Sequence, residues 1–318
     1  MAVDAETRAA LVDHARLTIK HGSQSFSAAA RLFDRETRER AWLLYAWCRR
    51  CDDIADNQVL GGELGEQTDL DSRLALIRKL TARAFEGKPT GDPAFDALGI
   101  VAHEVGLTPA MAEDVIAGFA LDAEDWRPRT EADMMRYCYH VAGAVGVMMA
   151  VVMGVDPEDR DTLDRANDLG LAFQLSNIAR DIVEDDAAGR CYLPEMWLVE
   201  QDIEPGQHTK PHHREELAEM AARLVALVEK HEAAARVGAE RLPFRSRWAV
   251  LSAARIYGAI GRKVRARGTQ AWNHRTYVPR WEKALYGVRA FLSAAINREK
   301  HPDGEITWGI RDFRPDPA

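Results

Sequence analysis

The stretch Tyr45-Ala-Trp-Cys-Arg49-Arg-Cys-Asp52-Asp53-Ile-Ala-Asp56 carries three carboxylates on a segment with apolar neighbours. An α-helix turns once every ~3.6 residues, so Asp52 and Asp56 share one helix face, and Arg49 precedes them on it. Carboxylates on a largely buried face are costly unless a positive group satisfies them. Hard divalent cations bound through oxygen meet this need, and magnesium in particular is often bound together with phosphates.

A second stretch repeats the pattern: Gln174-Leu-Ser-Asn177-Ile-Ala-Arg180-Asp181-Ile-Val-Glu-Asp185. Asn177, Asp181 and Asp185 lie on one face over two helical turns, and Arg180 stands beside Asp181. One such pattern alone is most often a solvated helix face. Two of them, each with an arginine, predict two walls of one cavity in which divalent cations hold a diphosphate and promote carbon–oxygen cleavage.

Loss of diphosphate leaves a carbocation, which must be kept from water and stabilised by aromatic faces. Aromatic candidates lie in or beside the acidic stretches: Tyr45, Tyr137, Tyr139 and Phe173. Small residues at positions 28–30, and at Gly143, Ala144 and Gly146, are expected to leave room for a long hydrocarbon or to allow close helix contact.

Composition narrows the class of protein. The chain has 318 residues, of which 47% are hydrophobic, and this is enough for a sizeable core. The net charge of -8 argues against a nucleic-acid partner, which would require a basic face. Four cysteines fit a reducing compartment. There is no secretory pattern, and the run 141–155 is shorter than the ~20 residues that span a bilayer, so we expect a cytoplasmic protein.

The sequence predicts an all-α protein, because helix-forming residues dominate and no run of alternating β-branched residues is present. Gly and Pro loops separate the predicted helices, which cover residues 5–20, 35–58, 69–87, 92–105, 109–121, 130–153, 157–186, 213–240, 246–267 and 278–298. Asp34 and Asp156 are expected to cap two of them. We expect a single domain over residues 1–299 and a loose tail, 300–318.

Six segments together resemble the squalene/phytoene synthase family over roughly residues 15–298. They are Ser23-Gln-Ser-Phe26, the acidic stretch 45–56, Tyr137-Cys-Tyr-His-Val-Ala-Gly143, the acidic stretch 174–185, Gly189-Arg-Cys-Tyr-Leu-Pro194 and Ala271-Trp-Asn-His-Arg275. The resemblance implies a single-domain class I isoprenoid synthase fold, with helices around a central cavity. It also implies a prenyltransferase that condenses two geranylgeranyl diphosphates through prephytoene diphosphate to phytoene, in carotenoid biosynthesis.

The resemblance assigns roles to the matching residues. As ligands of Mg²⁺ or Mn²⁺ it implies Asp52, Asp56, Asn177, Asp181 and Asp185. As substrate-binding residues it implies Ser23, Tyr45, Arg49, Gln174, Asn177, Arg180 and Arg275. As catalytic residues it implies Arg49, Tyr139 near the developing cation, and Arg180. Residues 189–194 are similar to the family's flap, and no nicotinamide cofactor is expected because the last step is loss of a proton.

Three alternatives are weighed against this function. A dehydrosqualene or squalene synthase would use farnesyl diphosphate, but the small residues at 28–30 favour the longer geranylgeranyl chain. A non-catalytic assembly protein should have lost metal ligands, whereas both acidic stretches are intact. A terpene cyclase usually carries a different acidic pattern.

The substrate and product are apolar, so transient contact with a membrane surface or with the desaturase acting next is expected. This predicts a cytoplasmic protein that also binds peripherally at the inner membrane face. The basic stretch Arg262-Lys-Val-Arg-Ala-Arg267 is a candidate for attraction to anionic lipid, and a solvated helix end is the equally valid alternative.

Overall fold

The computed structural model describes residues 5–22, 29–58, 69–123, 126–296 and 305–314. These residues are mostly α-helical and contain no β-strand, which confirms the all-α class. Each predicted helix is found, and its ends lie within a few residues of the expected ones. The chain divides into two compact units, one of Met1–Glu124 and Val147–Arg160, the other of Asp125–Gly146 and Asp161–Ala318. The single domain over residues 1–299 stays a prediction.

The first unit is built around a central helix. Its helices are α1 (Ala5–Gly22), α2 (Arg35–Ala55), α3 (Leu70–Phe85), α4 (Pro93–Val105) and α5 (Pro109–Ala123). Helix α2 packs against α1, α3 and α4, and buries Leu43, Leu44 and Trp47. The predicted cap Asp34 begins it by accepting a hydrogen bond from the Thr37 N–H at 2.9 Å.

The second unit contains the remaining helices: α6 (Glu131–Cys138), a π-helical turn (Tyr139–Gly143), the start of α7 (Ala144–Val152), α8 (Arg160–Ala187), α9 (Glu195–Glu200), α10 (Arg214–Ala239), α11 (Phe244–Arg267), α12 (Arg280–Ile296) and α13 (Ile310–Phe313). Helix α11 packs between α10 and α12. A fully buried pair joins α8 to α10, with 2.6 Å between His231 Nδ1 and Asp168 Oδ1.

Glycines bring the π-helical turn and the start of α7 very close to α8. A Cβ at Gly170 would lie 2.5 Å from the Ala142 carbonyl oxygen, and one at Gly146 would lie 2.7 Å from the Ala166 carbonyl oxygen. A Cβ at Gly143 would overlap the Asn167 side chain. Of the two roles expected for the small residues here, Gly143 and Gly146 therefore serve close helix contact.

The segment Glu131–Val152 is long and apolar enough to cross a membrane by length and composition, and 61% of its most apolar part is buried within the protein. A buried core helix of a water-soluble unit passes the same test. The segment Glu131–Val152 is longer than the apolar run 141–155 expected from the sequence, because α6, the π-helical turn and α7 follow one another without a break.

Two expectations are corrected. Asp156 does not cap α8. It accepts a hydrogen bond from the Glu158 N–H at 2.9 Å in a turn that contains Pro157, and α8 begins at Arg160. Residues 305–314, which fall in the expected loose tail, are packed on the second unit: Phe313 is buried, and the Asn167 amide donates to the Trp308 carbonyl oxygen at 3.0 Å.

Candidate active site

In the first unit, the acidic end of α2 is organised by one arginine. The Arg49 guanidinium contacts Asp52 Oδ2 at 2.8 Å and donates to Asp53 Oδ1 from Nη2 at 2.8 Å and from Nε at 3.1 Å. Asp53 is buried, whereas the Asp52 side chain is 36% exposed. Asp56 follows the helix and accepts a hydrogen bond from the Gln58 amide at 3.1 Å. The side chain of Asp52 is therefore partly exposed and Asp56 is half-buried, while Asp53 anchors the arginine.

Tyr45 lies one turn before Arg49 on the same helix. Burial raises the pKa of the Tyr45 hydroxyl, so this group stays protonated at neutral pH. Its oxygen lies against Gly22 at the end of α1, where a Cβ would come within 2.5 Å. Gly22 precedes the Ser23–Phe26 motif directly, and Ser23 itself lies outside the described residues.

In the second unit, two predicted substrate-binding arginines converge on one predicted metal ligand. Arg180 Nε donates to Asp181 Oδ1 at 2.7 Å, and its Nη2 contacts the other carboxylate oxygen. Arg275 Nη2 lies 3.0 Å from the same Oδ1 and reaches it from the segment that follows α11. The Trp272 indole fixes that segment by donating to the Ala179 carbonyl oxygen at 3.1 Å. The structure thus brings together residues almost a hundred positions apart.

Asp185 lies one turn beyond Asp181 on α8 and is half-buried. Burial, and then the negative charge of Asp181, raise the pKa of the Asp185 carboxyl to about 6, while the positive charge of Arg190 acts in the opposite direction. Gln174 and Asn177 are half-buried on the preceding turns of the same helix. Within the described part of the chain, no three His, Cys, Asp or Glu side chains form a ready-made metal cluster.

Tyr139, predicted to lie near the developing cation, is fully buried in the π-helical turn. Its ring stacks on that of Phe313 with 4.8 Å between centroids, and His140 meets it edge-on at 5.0 Å. The predicted flap, residues 189–194, is held by another stack in which the Tyr192 and Tyr137 centroids lie 4.7 Å apart. Aromatic pairs of this kind fix ring orientation.

Three residues with structural roles at the site were not assigned from the sequence. Asp53 had a visible signal, since it lies four positions after Arg49, the spacing of a helical ion pair. Trp272 lay inside a recognised motif without a role. Phe313 gave no local signal, because its contact with Tyr139 spans more than 170 positions. That the two acidic faces meet across one cavity stays a prediction.

Comparison with known proteins finds relatives over most of the chain. A phytoene synthase from Pseudescherichia vulneris is 47% identical over 275 residues, which cover 86% of this chain and 88% of the relative. A 15-cis-phytoene synthase from Pantoea ananas is 44% identical over 296 residues, covering 92% and 95%.

Among solved structures, a dehydrosqualene synthase in complex with a ligand is 25% identical and superposes with a TM-score of 0.77, over 90% of this chain and 96% of that one. This likeness confirms the class I isoprenoid synthase fold. The squalene/phytoene synthase model matches residues 19–282. The chain therefore belongs to the squalene/phytoene synthase family.

Proposed function

We propose that this prenyltransferase condenses two molecules of geranylgeranyl diphosphate head to head, through prephytoene diphosphate, to phytoene and diphosphate. The observation that carries the choice of product is the 44% and 47% identity, over most of the chain, to proteins named phytoene synthase. The geometry supports the diphosphate chemistry, because two arginines converge on the carboxylate of Asp181, one turn before a second carboxylate, Asp185.

The proposed metal ligands offer only oxygen donors, at the one-turn spacings of two helices. They are Asp52, Asp56, Asn177, Asp181 and Asp185. An all-oxygen set of carboxylates and an amide fits Mg²⁺ or Mn²⁺ rather than softer metals. When bound, such cations supply positive charge that stabilises the departing diphosphate.

The side chains of this chain bind and orient the substrate. Arg180 and Arg275 would each donate to diphosphate oxygens from the position where they now hold Asp181, and the same role is proposed for Arg49. Ser23, Tyr45 and Gln174 complete the proposed diphosphate contacts. The Tyr139 ring would face the allylic cation and stabilise it through its π electrons, in a site from which water is excluded.

The test is an incubation of the purified protein with geranylgeranyl diphosphate, Mg²⁺ and no NADPH, followed by identification of the hydrocarbon. We expect phytoene, and we expect chelation of the metal to abolish it. Asp181→Asn should lose activity, while Glu184→Gln, which removes one negative charge from an exposed position on the same helix, should retain it. No hydrocarbon from geranylgeranyl diphosphate, or an equal effect of the two variants, would contradict the proposal.

The alternative substrate, farnesyl diphosphate, is tested at Ala30, which is fully buried in the first unit. A phenylalanine there would fill space that the longer prenyl chain needs, so Ala30→Phe should shift preference toward farnesyl diphosphate. The measurement is kcat/KM for both substrates. An unchanged ratio in a folded variant would remove Ala30 from the chain-length pocket.

The location and partners are proposed with the function. A cytoplasmic protein that docks transiently on the inner membrane face, or on the desaturase that acts next, would shield both the prenyl substrate and the hydrocarbon product from water. Separation of cell extract into soluble and membrane fractions at low and high salt tests the location.

A further inference from the structure

Helix α12 presents its larger apolar side chains outward. Trp281, Leu285, Val288 and Leu292 follow one another at spacings of four, three and four residues, and so form one stripe along the helix, called here the α12 stripe. All four are exposed, with Trp281 at 67% and Val288 at 58%. A helix of a folded protein normally turns such a stripe toward the core.

The inward side of α12 carries small residues instead. Ala290 and Ala294 are buried against α11, and the Trp248 indole of α11 donates to the Gly287 carbonyl oxygen at 2.8 Å. Arg255 adds a hydrogen bond to Ser293 Oγ at 2.7 Å. The packing of α12 on α11 is therefore complete without the α12 stripe, which stays available for another surface.

Positive charge flanks the α12 stripe. Arg280 and Arg289 are exposed on its two sides, and neither forms an ion pair within the described part of the chain. Glu282 is the single acidic residue of α12, and it is turned inward to Lys263 with 2.7 Å between Nζ and Oε1. The surface around the stripe is thus locally basic although the whole chain carries a net charge of -8.

The basic stretch 262–267, the candidate from the sequence, is engaged elsewhere. Arg262 binds the buried Glu232 at 2.7 Å, Arg265 binds Glu229 at 2.6 Å, and Arg267 donates to Thr276 Oγ1 at 3.0 Å. Its charges are therefore largely neutralised within the protein.

We propose that the α12 stripe, with Arg280 and Arg289, docks the protein on an anionic membrane surface. The helix would lie in the plane of the interface, with its apolar side chains among the acyl chains and its arginines on lipid phosphates. Indole rings prefer this boundary, and the exposed phenol of Tyr277, just before the helix, extends the same preference.

A second copy of the chain is the competing occupant. A twofold pairing of the α12 stripe with itself would bring the same arginines together, and the exposed side of α12 offers no carboxylate to offset them. An anionic bilayer supplies that counter-charge. Docking rests on the proposed function for its purpose, since phytoene is an insoluble hydrocarbon that has to pass into lipid.

The experiment is flotation of the full chain, without substrate, with vesicles of phosphatidylcholine alone or mixed with phosphatidylglycerol. We expect binding to the mixed vesicles, weaker by tenfold or more in a Trp281→Ser/Val288→Ser variant. Arg280→Gln/Arg289→Gln should weaken binding to the mixed vesicles only. Val199→Ser, which removes an apolar side chain that is 71% exposed on α9, is the matched control and should bind like the unchanged protein.

Synthesis of phytoene from detergent-dispersed substrate is measured separately and should be equal in all variants. Failure of the unchanged protein to bind mixed vesicles, or equal binding by the stripe variant, would overturn the docking proposal. A dimer in sedimentation that the stripe variant dissociates would assign the surface to a second copy. Vesicle binding by a protein that forms no phytoene in detergent would overturn the proposed function alone.

Discussion

Phe313 is expected to hold the C-terminal helix α13 on the second unit and, through it, to fix the ring of Tyr139. Its side chain is buried, and its ring lies 4.8 Å from that of Tyr139 and 5.8 Å from that of Trp308. The same segment is joined to α8 by the Ile310 N–H, which donates to Asp164 Oδ1 at 2.8 Å. Truncation of Phe313 removes the buried apolar side chain of this segment.

The magnitude follows from those contacts. Burial of a phenylalanine side chain contributes about 1.5–3 kcal/mol, and a stacked aromatic pair about 0.5–1.5 kcal/mol beyond burial. Phe313→Ala should therefore weaken docking of residues 305–314 by about 2–4 kcal/mol, or roughly 30- to 1000-fold in the docking equilibrium.

The assay is hydrogen exchange of residues 305–314, combined with steady-state kinetics on geranylgeranyl diphosphate. Exchange at Ile310 should accelerate by the factor given above. A Tyr139 ring without its stacking partner should lose orientation, so kcat should fall about 10- to 100-fold, with a smaller change in KM. Phe313→Leu, which keeps apolar burial and loses the stack, should fall between the two proteins.

The control is Arg311→Ala, because Arg311 lies in the same short helix and is exposed. It should leave both exchange and kinetics unchanged. Unaltered protection of Ile310 in Phe313→Ala would refute the docking argument. Lost protection with unaltered kcat would refute the role of Phe313 in orienting Tyr139.

Two further predictions concern stability. Burial alone would raise the pKa of Glu104, but hydrogen bonds from Arg8 and Arg40 outweigh it and lower that pKa below the usual 4.5. The ionised Glu104 therefore stabilises the folded state fully above pH 4.5, and this stabilisation is lost as the pH falls further. Glu104→Gln should lower the free energy of unfolding by about 1–3 kcal/mol at pH 7 and by less in acid. Urea titration at both pH values measures the difference. Gly170→Ala should destabilise the protein by about 1–3 kcal/mol because its Cβ would meet backbone atoms. Gly287→Ala, with open space around the Cβ, should stabilise the protein by about 0.5–1 kcal/mol. Thermal unfolding compares the two variants, and equal shifts in Tm would contradict the argument.

The helices could be predicted because local signals set their ends. Pro93 stands at the first turn of α4, Asp92 caps it by accepting from the Ala94 N–H, and Gly106 ends it with a φ of 78°. Each of these preferences acts within a few residues and needs no knowledge of the fold.

The π-helical turn at Tyr139–Gly143 could not be predicted in the same way. It lies where Gly170 of α8 approaches the Ala142 backbone, and that approach is a tertiary contact between segments almost thirty residues apart. The sequence offered only small residues there, which were compatible both with a hydrocarbon channel and with close packing.

The acidic faces of the site could be predicted from the sequence, whereas the partners of their carboxylates could not. Helical spacing places Asp52 with Asp56 and Asp181 with Asp185, because periodicity alone decides which side chains share a face. Periodicity does not say which carboxylate is turned inward. That Asp53 is buried on Arg49 depends on the packing around α2, and that Arg275 reaches Asp181 depends on the path of the chain after α11.

The ion pairs of Arg180 and Arg275 with Asp181 predict how metal and diphosphate would bind in the proposed reaction. Burial, and then repulsion from the Asp181 carboxylate one turn away, raise the pKa of Asp185. Arg180 and Arg275 offset the negative charge of Asp181. With a divalent cation held by Asp181, as the proposed function requires, both guanidinium groups would be free to bind an anion. On the proposed function, metal and diphosphate should therefore bind with positive coupling, since each removes the charge that would oppose the other.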